Sequence, residues 1–160
     1  MTISTASGFE FPSKTAPIVV GVDGSSSSHR ALEWAVLEAE VHGNPVLAIS
    51  TYMIPALMTA APGFTFDPRN MEELADQCRV ALASEIAAVS KGHPAVAIEP
   101  KVVQGPAALA LIEASAAAFT LLVGSRGHGG FVGLLLGSVS QQCVSHARCP
   151  VVVIHPARRE

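Results

Sequence analysis

Charge is scarce in this 160-residue chain: Asp, Glu, Lys and Arg make up 14% of it, and the formal net charge is -3. No basic cluster stands out, so the chain lacks an electrostatic footprint for nucleic acid. Cysteine is rare too, with Cys78, Cys143 and Cys149 an odd number at spacings that suit no disulfide framework. The first residues show no basic stretch followed by an apolar one, so nothing directs export, and a reducing cytoplasm is the expected compartment. No glycine is followed by lysine, which excludes the P-loop and its phosphate lysine. A G-x-S-x-G nucleophile elbow is absent. The dinucleotide pattern G-x-G-x-x-G does not follow the first apolar run, where only Gly21 and Gly24 occur. From Pro106 to Gly124 only Glu113 is charged, close to the length of a membrane span. Gly105-Pro106 nevertheless reads as a helix start and Phe119 to Val123 as a strand, which accounts for the stretch without a bilayer.

Apolar residues are abundant, at 49% of the chain, enough to build a substantial core in one domain. Residues 1–17, rich in Ser, Thr and Pro, read as a flexible leader, 18–156 as the domain and 157–160 as a short tail. Ile18 to Val22 is wholly apolar, as a strand buried on both faces of a parallel sheet would be. Asp23-Gly24 and four serines supply a turn and a choice of helix caps. Leu32, Ala35, Val36 and Ala39 then mark a helix ending near His42-Gly43. A second strand covers Val46 to Tyr52, and Met53 to Arg69 is a loop. Asn70 and Glu73 form a capping-box pattern that opens a long helix with the stripe Met71, Leu74, Cys78, Leu82, Ile86 and Val89. A third strand includes Val96 to Val102, followed by a helix carrying Leu109, Ile112 and Ala116. Thr120 to Val123, Ser138 to His146 and Val151 to Ile154 complete the alternation. Strands alternating with helices predict a three-layer α/β fold with a parallel sheet. Its ligands would lie beyond the carboxyl ends of strands, where the strand order reverses.

The segment Gly124 to Ser138, GSRGHGGFVGLLLGS, joins a strand to a helix with five glycines between 124 and 133 and another at Gly137. Glycine lets bare backbone amides approach a ligand. A helix opening near Ser138 adds unpaired N–H groups and the positive end of its dipole. The combination suits an anion, most often a phosphate.

Gly124-x2-Gly127-x9-Gly137-Ser138 resembles the glycine signature of the ATP-binding universal stress proteins. Ile18 to Ser25, Ala31-Leu32-x-Trp34-Ala35, Gly105-x2-Ala108 and His146-x2-Cys149-Pro150-Val151-x-Val153 are similar to family positions as well. The resemblance implies five parallel strands in the order 3-2-1-4-5 and ATP, or a related adenine nucleotide, with Mg²⁺. It implies that Asp23 bonds the ribose while the backbone at Gly21, Val22 and Thr51 frames the adenine. Gly124, Gly127 and Gly130 would run along ribose and phosphates, and Gly137, Ser138, Val139 and Ser140 would meet the phosphates. Arg126 and His128 would add positive charge. Two positions depart from the family habit: Ala118-Phe119-Thr120 lacks an acidic residue before the fourth strand, and Ser50 stands where many relatives have histidine. The apolar strand Val151-Val152-Val153-Ile154 would lie at the sheet edge, where relatives pair across a two-fold axis, so a homodimer is expected.

Asp23 is the sole carboxylate this reading places in the crevice, and its plainer role is an Asx-turn closing the first strand. With no second acid or base, no catalytic residue is assigned and phosphoryl transfer lacks its parts. Cys143, His146 and Cys149 invite zinc, but no fourth ligand is evident and relatives carry these residues without metal. Cys78, Trp34 and the leucines at 134–136 are read as packing residues. The expected function is that of an ATP-binding regulator in stress response or growth arrest, acting on a downstream protein. A slow ATPase or nucleotidyl transferase, and a nucleotide-free interaction module, are the alternatives.

Overall fold

The computed structural model describes residues 15–53, 68–127 and 135–156. Five strands, β1 (Ile18–Gly21), β2 (Val46–Tyr52), β3 (Ile98–Gln104), β4 (Thr120–Gly124) and β5 (Val151–Ile154), form one sheet. Its order is β3-β2-β1-β4-β5, with every neighbouring pair parallel. The connections include α1 (Ser26–His42), α2 (Pro68–Ser90), α3 (Ala107–Ser115) and α4 (Ser138–His146). The expected strand order and three-layer architecture are both present.

The sheet is covered on both faces because consecutive residues of its central strand are apolar and point to opposite sides. Ile18, Val20 and Val22 pack with Leu32, Val36, Leu82 and Val89 of α1 and α2. Val19 packs on the other side with Ile49, Leu111, Leu121, Val123 and Cys143, beneath α3 and α4. β1 pairs with β2 on one side and β4 on the other, with Ile18 opposite both Val46 and Thr120. The chain leaves β1 and β4 in opposite directions, so the switch point lies at their carboxyl ends.

Helix ends follow local chemistry. Ser25 caps α1 by accepting from the Ser28 amide at 3.2 Å. At the other end Gly43 takes φ 74° and donates to the Ala39 carbonyl at 2.8 Å. α2 begins at Pro68, so Asn70 and Glu73 lie inside the helix rather than forming its capping box. A proline loses nothing at a helix start, where its missing N–H would have no acceptor.

Packing differs from the sequence reading at three places. Trp34 is 46% exposed, because Ala31, Leu32, Ala35 and Val36 form the buried face and position 34 turns away from it. On α3 the inward face is Ala108, Leu111 and Ser115, and Leu109 points outward. Leu135 is 75% exposed, so it does not pin the glycine loop to the body. Among the described residues, no helix is long and apolar enough to cross a membrane.

Leu122, fully buried at the centre of β4, is expected to be a keystone of the first core cluster. Leu122→Ala should lower the unfolding free energy by about 2–5 kcal/mol. In urea titrations the midpoint should fall while the slope stays unchanged.

Candidate functional site

The turn after β1 is shaped by hydrogen bonds among short polar side chains. Gly24 has φ 81°, a left-handed conformation that favours glycine. Asp23 Oδ1 accepts from the Ser25 amide at 2.9 Å, which is the Asx-turn expected of it. The Asp23 amide in turn donates to Ser28 Oγ at 3.3 Å. Its second carboxylate oxygen, Oδ2, faces Gly127, where an added Cβ would collide with it. The same carboxylate therefore closes the turn and contacts the glycine segment from the opposite strand.

The first turn of α1 also holds that segment in place. Ser27 Oγ donates a short hydrogen bond to the Arg126 carbonyl, and Ser25 Oγ reaches the same oxygen at 3.4 Å. β4 ends so close to α1 that a Cβ on Gly124 would lie 2.5 Å from Ser27 Oγ and 2.9 Å from the Ser28 backbone nitrogen. Gly124 is needed for packing between two elements, before any ligand is considered.

Ser125 connects the site to the far side of the sheet. Its amide donates to the Ile154 carbonyl at 2.7 Å, and its carbonyl accepts from the Gly137 amide at 2.7 Å and Ser140 Oγ at 3.0 Å. These bonds aim the start of α4 at the switch point. Gly137 is the N-cap, and Ser138, Val139 and Ser140 form the first turn, whose amides have no intrahelical acceptor. At Gly137 itself a Cβ would meet nothing closer than 3.5 Å among the described residues, so their packing does not demand glycine there.

These elements enclose a cleft of about 490 Å³, within the size range of small-molecule sites. Gly21, Val22, Asp23 and Thr51 line it from β1 and β2. From β4, α4 and the segments joining them come Gly124, Arg126, Gly127, Gly137, Ser138, Val139 and Ser140. His128 and Gly130 lie outside the described residues. The apolar part of the wall includes Val22, Ile49, Leu111, Val123 and Val139, whereas the α4 end presents backbone amides and Arg126. Such a cleft can seat a flat apolar group at one side and an anion at the helix start.

One wall is absent from the sequence reading. Cys78, Ala81, Leu82 and Glu85 line the cleft from α2. Their spacing of i, i+3, i+4 and i+7 marks one helical face, and that periodicity is visible in the sequence once α2 is known to flank the switch point. Cys78 is therefore only partly buried, with its thiol donating to Ser50 Oγ at 3.2 Å, instead of lying in the core. Glu85 is a second carboxylate in the crevice, so Asp23 is not the sole one. The other two cysteines belong to packing: burial pushes the Cys143 thiol up to about 11, with the nearby Cys149 adding to it. Burial also raises Cys149, partly offset by a backbone hydrogen bond from Leu121.

Together the sheet and cleft define a doubly wound α/β protein with an open cleft at the strand carboxyl ends. Known proteins narrow that class. The sequence model of the Universal stress protein family matches residues 15–155, and the chain belongs to that family. Universal stress protein Rv2005c of Mycobacterium tuberculosis is 35% identical over 138 residues, which is 86% of this chain and 45% of that protein. The chain thus spans about half the length of the curated relatives it matches. Among solved structures, a universal stress protein in complex with cAMP is 25% identical, with a TM-score of 0.67 over 91% of this chain and 100% of that one. Hypothetical protein MJ0577 shares the fold, with a TM-score of 0.76 at 14% identity over 92% of this chain and 100% of its own.

The two signature glycines 124 and 137 should respond differently to a methyl group. Gly124→Ala must separate β4 from α1 and is expected to lower the melting temperature by several degrees, about 1–3 kcal/mol of overpacking. Gly137→Ala should melt within about one degree of the parent. Differential scanning calorimetry of the two variants side by side checks both outcomes.

Proposed function

We propose that this chain is an adenine-nucleotide-binding universal stress protein that takes ATP with Mg²⁺ and acts as a nucleotide-dependent regulator. The observation that carries the reading is the convergence of Asp23, Gly124, Gly127 and the first turn of α4 on one cleft. Backbone amides at a helix start suit phosphates, and the apolar wall suits a base. The related structure in complex with cAMP supports an adenine nucleotide as the ligand class. Mg²⁺ would arrive on the phosphates. No protein side chain is assigned to it, and the Asp23 carboxylate, an acceptor at the cleft, is left for the ribose.

Binding, rather than rapid turnover, is the role these residues suit. Among the described residues, the lining includes no lysine and Arg126 is its one guanidinium. Hydrolysis, where it occurs, is slow. The site lies within residues 18–156, which we take as one domain between a leader (1–17) and a tail (157–160), working in the cytoplasm on a downstream protein. Isothermal titration calorimetry should detect ATP binding to the parent in the presence of Mg²⁺. Gly127→Val should abolish it with the fold retained, since its Cβ would meet Asp23 Oδ2. Equal affinity in parent and variant would reject the reading.

Assembly follows from the sheet edge. β5 is the terminal strand, and among the described residues nothing pairs with its outer side. Val151, Val153 and Ile154 pack inward, while Val152 is 36% exposed. An apolar edge of this kind invites a second strand, and two copies joined about a two-fold axis would close it. Light scattering at micromolar concentration should give the mass of a homodimer. Val153→Pro, which removes one of the amides that β5 turns away from β4, should shift it to monomer.

A further inference from the structure

We infer that Glu85 is a specificity residue of the cleft that accepts a hydrogen bond from a ribose hydroxyl, and that His29 holds it there. The inference rests on the adenine-nucleotide reading and deepens it. Glu85 lines the cleft from α2, with its side chain 27% exposed. Its Oε2 is held by His29 Nδ1 of α1 at 2.6 Å. An ionised carboxylate only accepts, so the imidazole carries its proton on Nδ1 in that pair. Oε1 accepts from none of the described residues.

His29 directly follows Ser28, which lines the same cleft and receives the Asp23 amide. Its Nε2 lies 3.6 Å from Glu33 Oε1, one turn along α1. Glu85 and Asp23 are thus both tied to the first turn of α1, one from each side of it.

The chemistry of the cleft restricts what Glu85 can face. The phosphates belong at α4, where amides and Arg126 lie, and two carboxylates would repel them elsewhere. The base belongs against the apolar wall. What remains between these ends is the sugar, whose hydroxyls are neutral donors matched to acceptor-only groups. A carboxylate used in this way discriminates strongly, because deletion of the hydroxyl leaves a desolvated acceptor without its donor.

The test is a cycle between the residue and the sugar, measured by calorimetry on the full chain with ATP, 2′-deoxy-ATP, 3′-deoxy-ATP and ITP. In the parent, removing one of the two hydroxyls should weaken binding about tenfold or more. In Glu85→Ala the same removal should cost less than about twofold, with ATP brought down to the level of that deoxy analogue. Glu85→Gln, which keeps the size of the side chain, should fall between the two. His29→Ala should reduce the parent's preference, and His29→Gln, which retains a donor, should restore part of it. A purely structural role would weaken all four nucleotides alike. If ATP binds but Glu85→Ala keeps the parent's preference, the inference is overturned and the nucleotide reading stands. If Glu85→Ala instead loses its preference for ATP over ITP, Glu85 reads the base and the inference is likewise overturned. Absence of all nucleotide binding to the parent would overturn both.

Discussion

The close approach of β4 to the first turn of α1 is the constraint on which this site depends. Two strands that are neighbours in the sheet send their chains in opposite directions, and at that divergence backbone would ordinarily be left without partners. Here Gly124 brings the end of β4 within contact distance of Ser27 and Ser28. Serine hydroxyls then satisfy the Arg126 carbonyl from across the gap. A larger residue at position 124, or apolar residues in place of the serines, would open the divergence to water. The turn after β1 and the segment after β4 are consequently one hydrogen-bonded unit, although about a hundred residues separate them in sequence.

Around that unit the two faces of the sheet contribute different chemistry. The α4 side brings amides through the Ser125 carbonyl, which takes both the Gly137 amide and the Ser140 hydroxyl. The α1 and α2 side brings acceptors: Asp23, Glu85 and Ser28, together with the thiol of Cys78. Donors gathered at one end and acceptors along one wall give the cleft a direction. A ligand with an anionic end and neutral hydroxyls can lie in it only one way round.

Much of this was legible in the sequence, and for identifiable reasons. Apolar runs such as Val151 to Ile154 end abruptly at turn residues, so β2 and β5 are found at the expected bounds. The glycine spacing pointed to backbone-lined contacts, and the described signature positions do line one cleft. Tertiary choices were less accessible. Leu109 and Leu111 are equally apolar, and which one turns inward on α3 depends on Gly21, whose bare Cα accommodates the Leu111 side chain. Glu85 escaped notice for a similar reason. A glutamate on a helix looks like a solvated residue until the neighbouring helix supplies His29 to hold it. Cys78 sits on an apolar stripe, and only the placement of one face of α2 along the cleft leaves it beside a cavity instead of inside the core.

The unequal clearances at the signature glycines also affect how variation in this motif is interpreted. At position 124 the protein itself has used the space, so any side chain there tests whether the chain folds. At position 137 the nearest atoms of the described residues stand 3.5 Å away, and those residues leave the space unclaimed. Glycine at 137 is thus not required by the packing of the described residues. A side chain at 124 therefore tests the scaffold, whereas a methyl group at 137 can be added without moving the described residues of that scaffold.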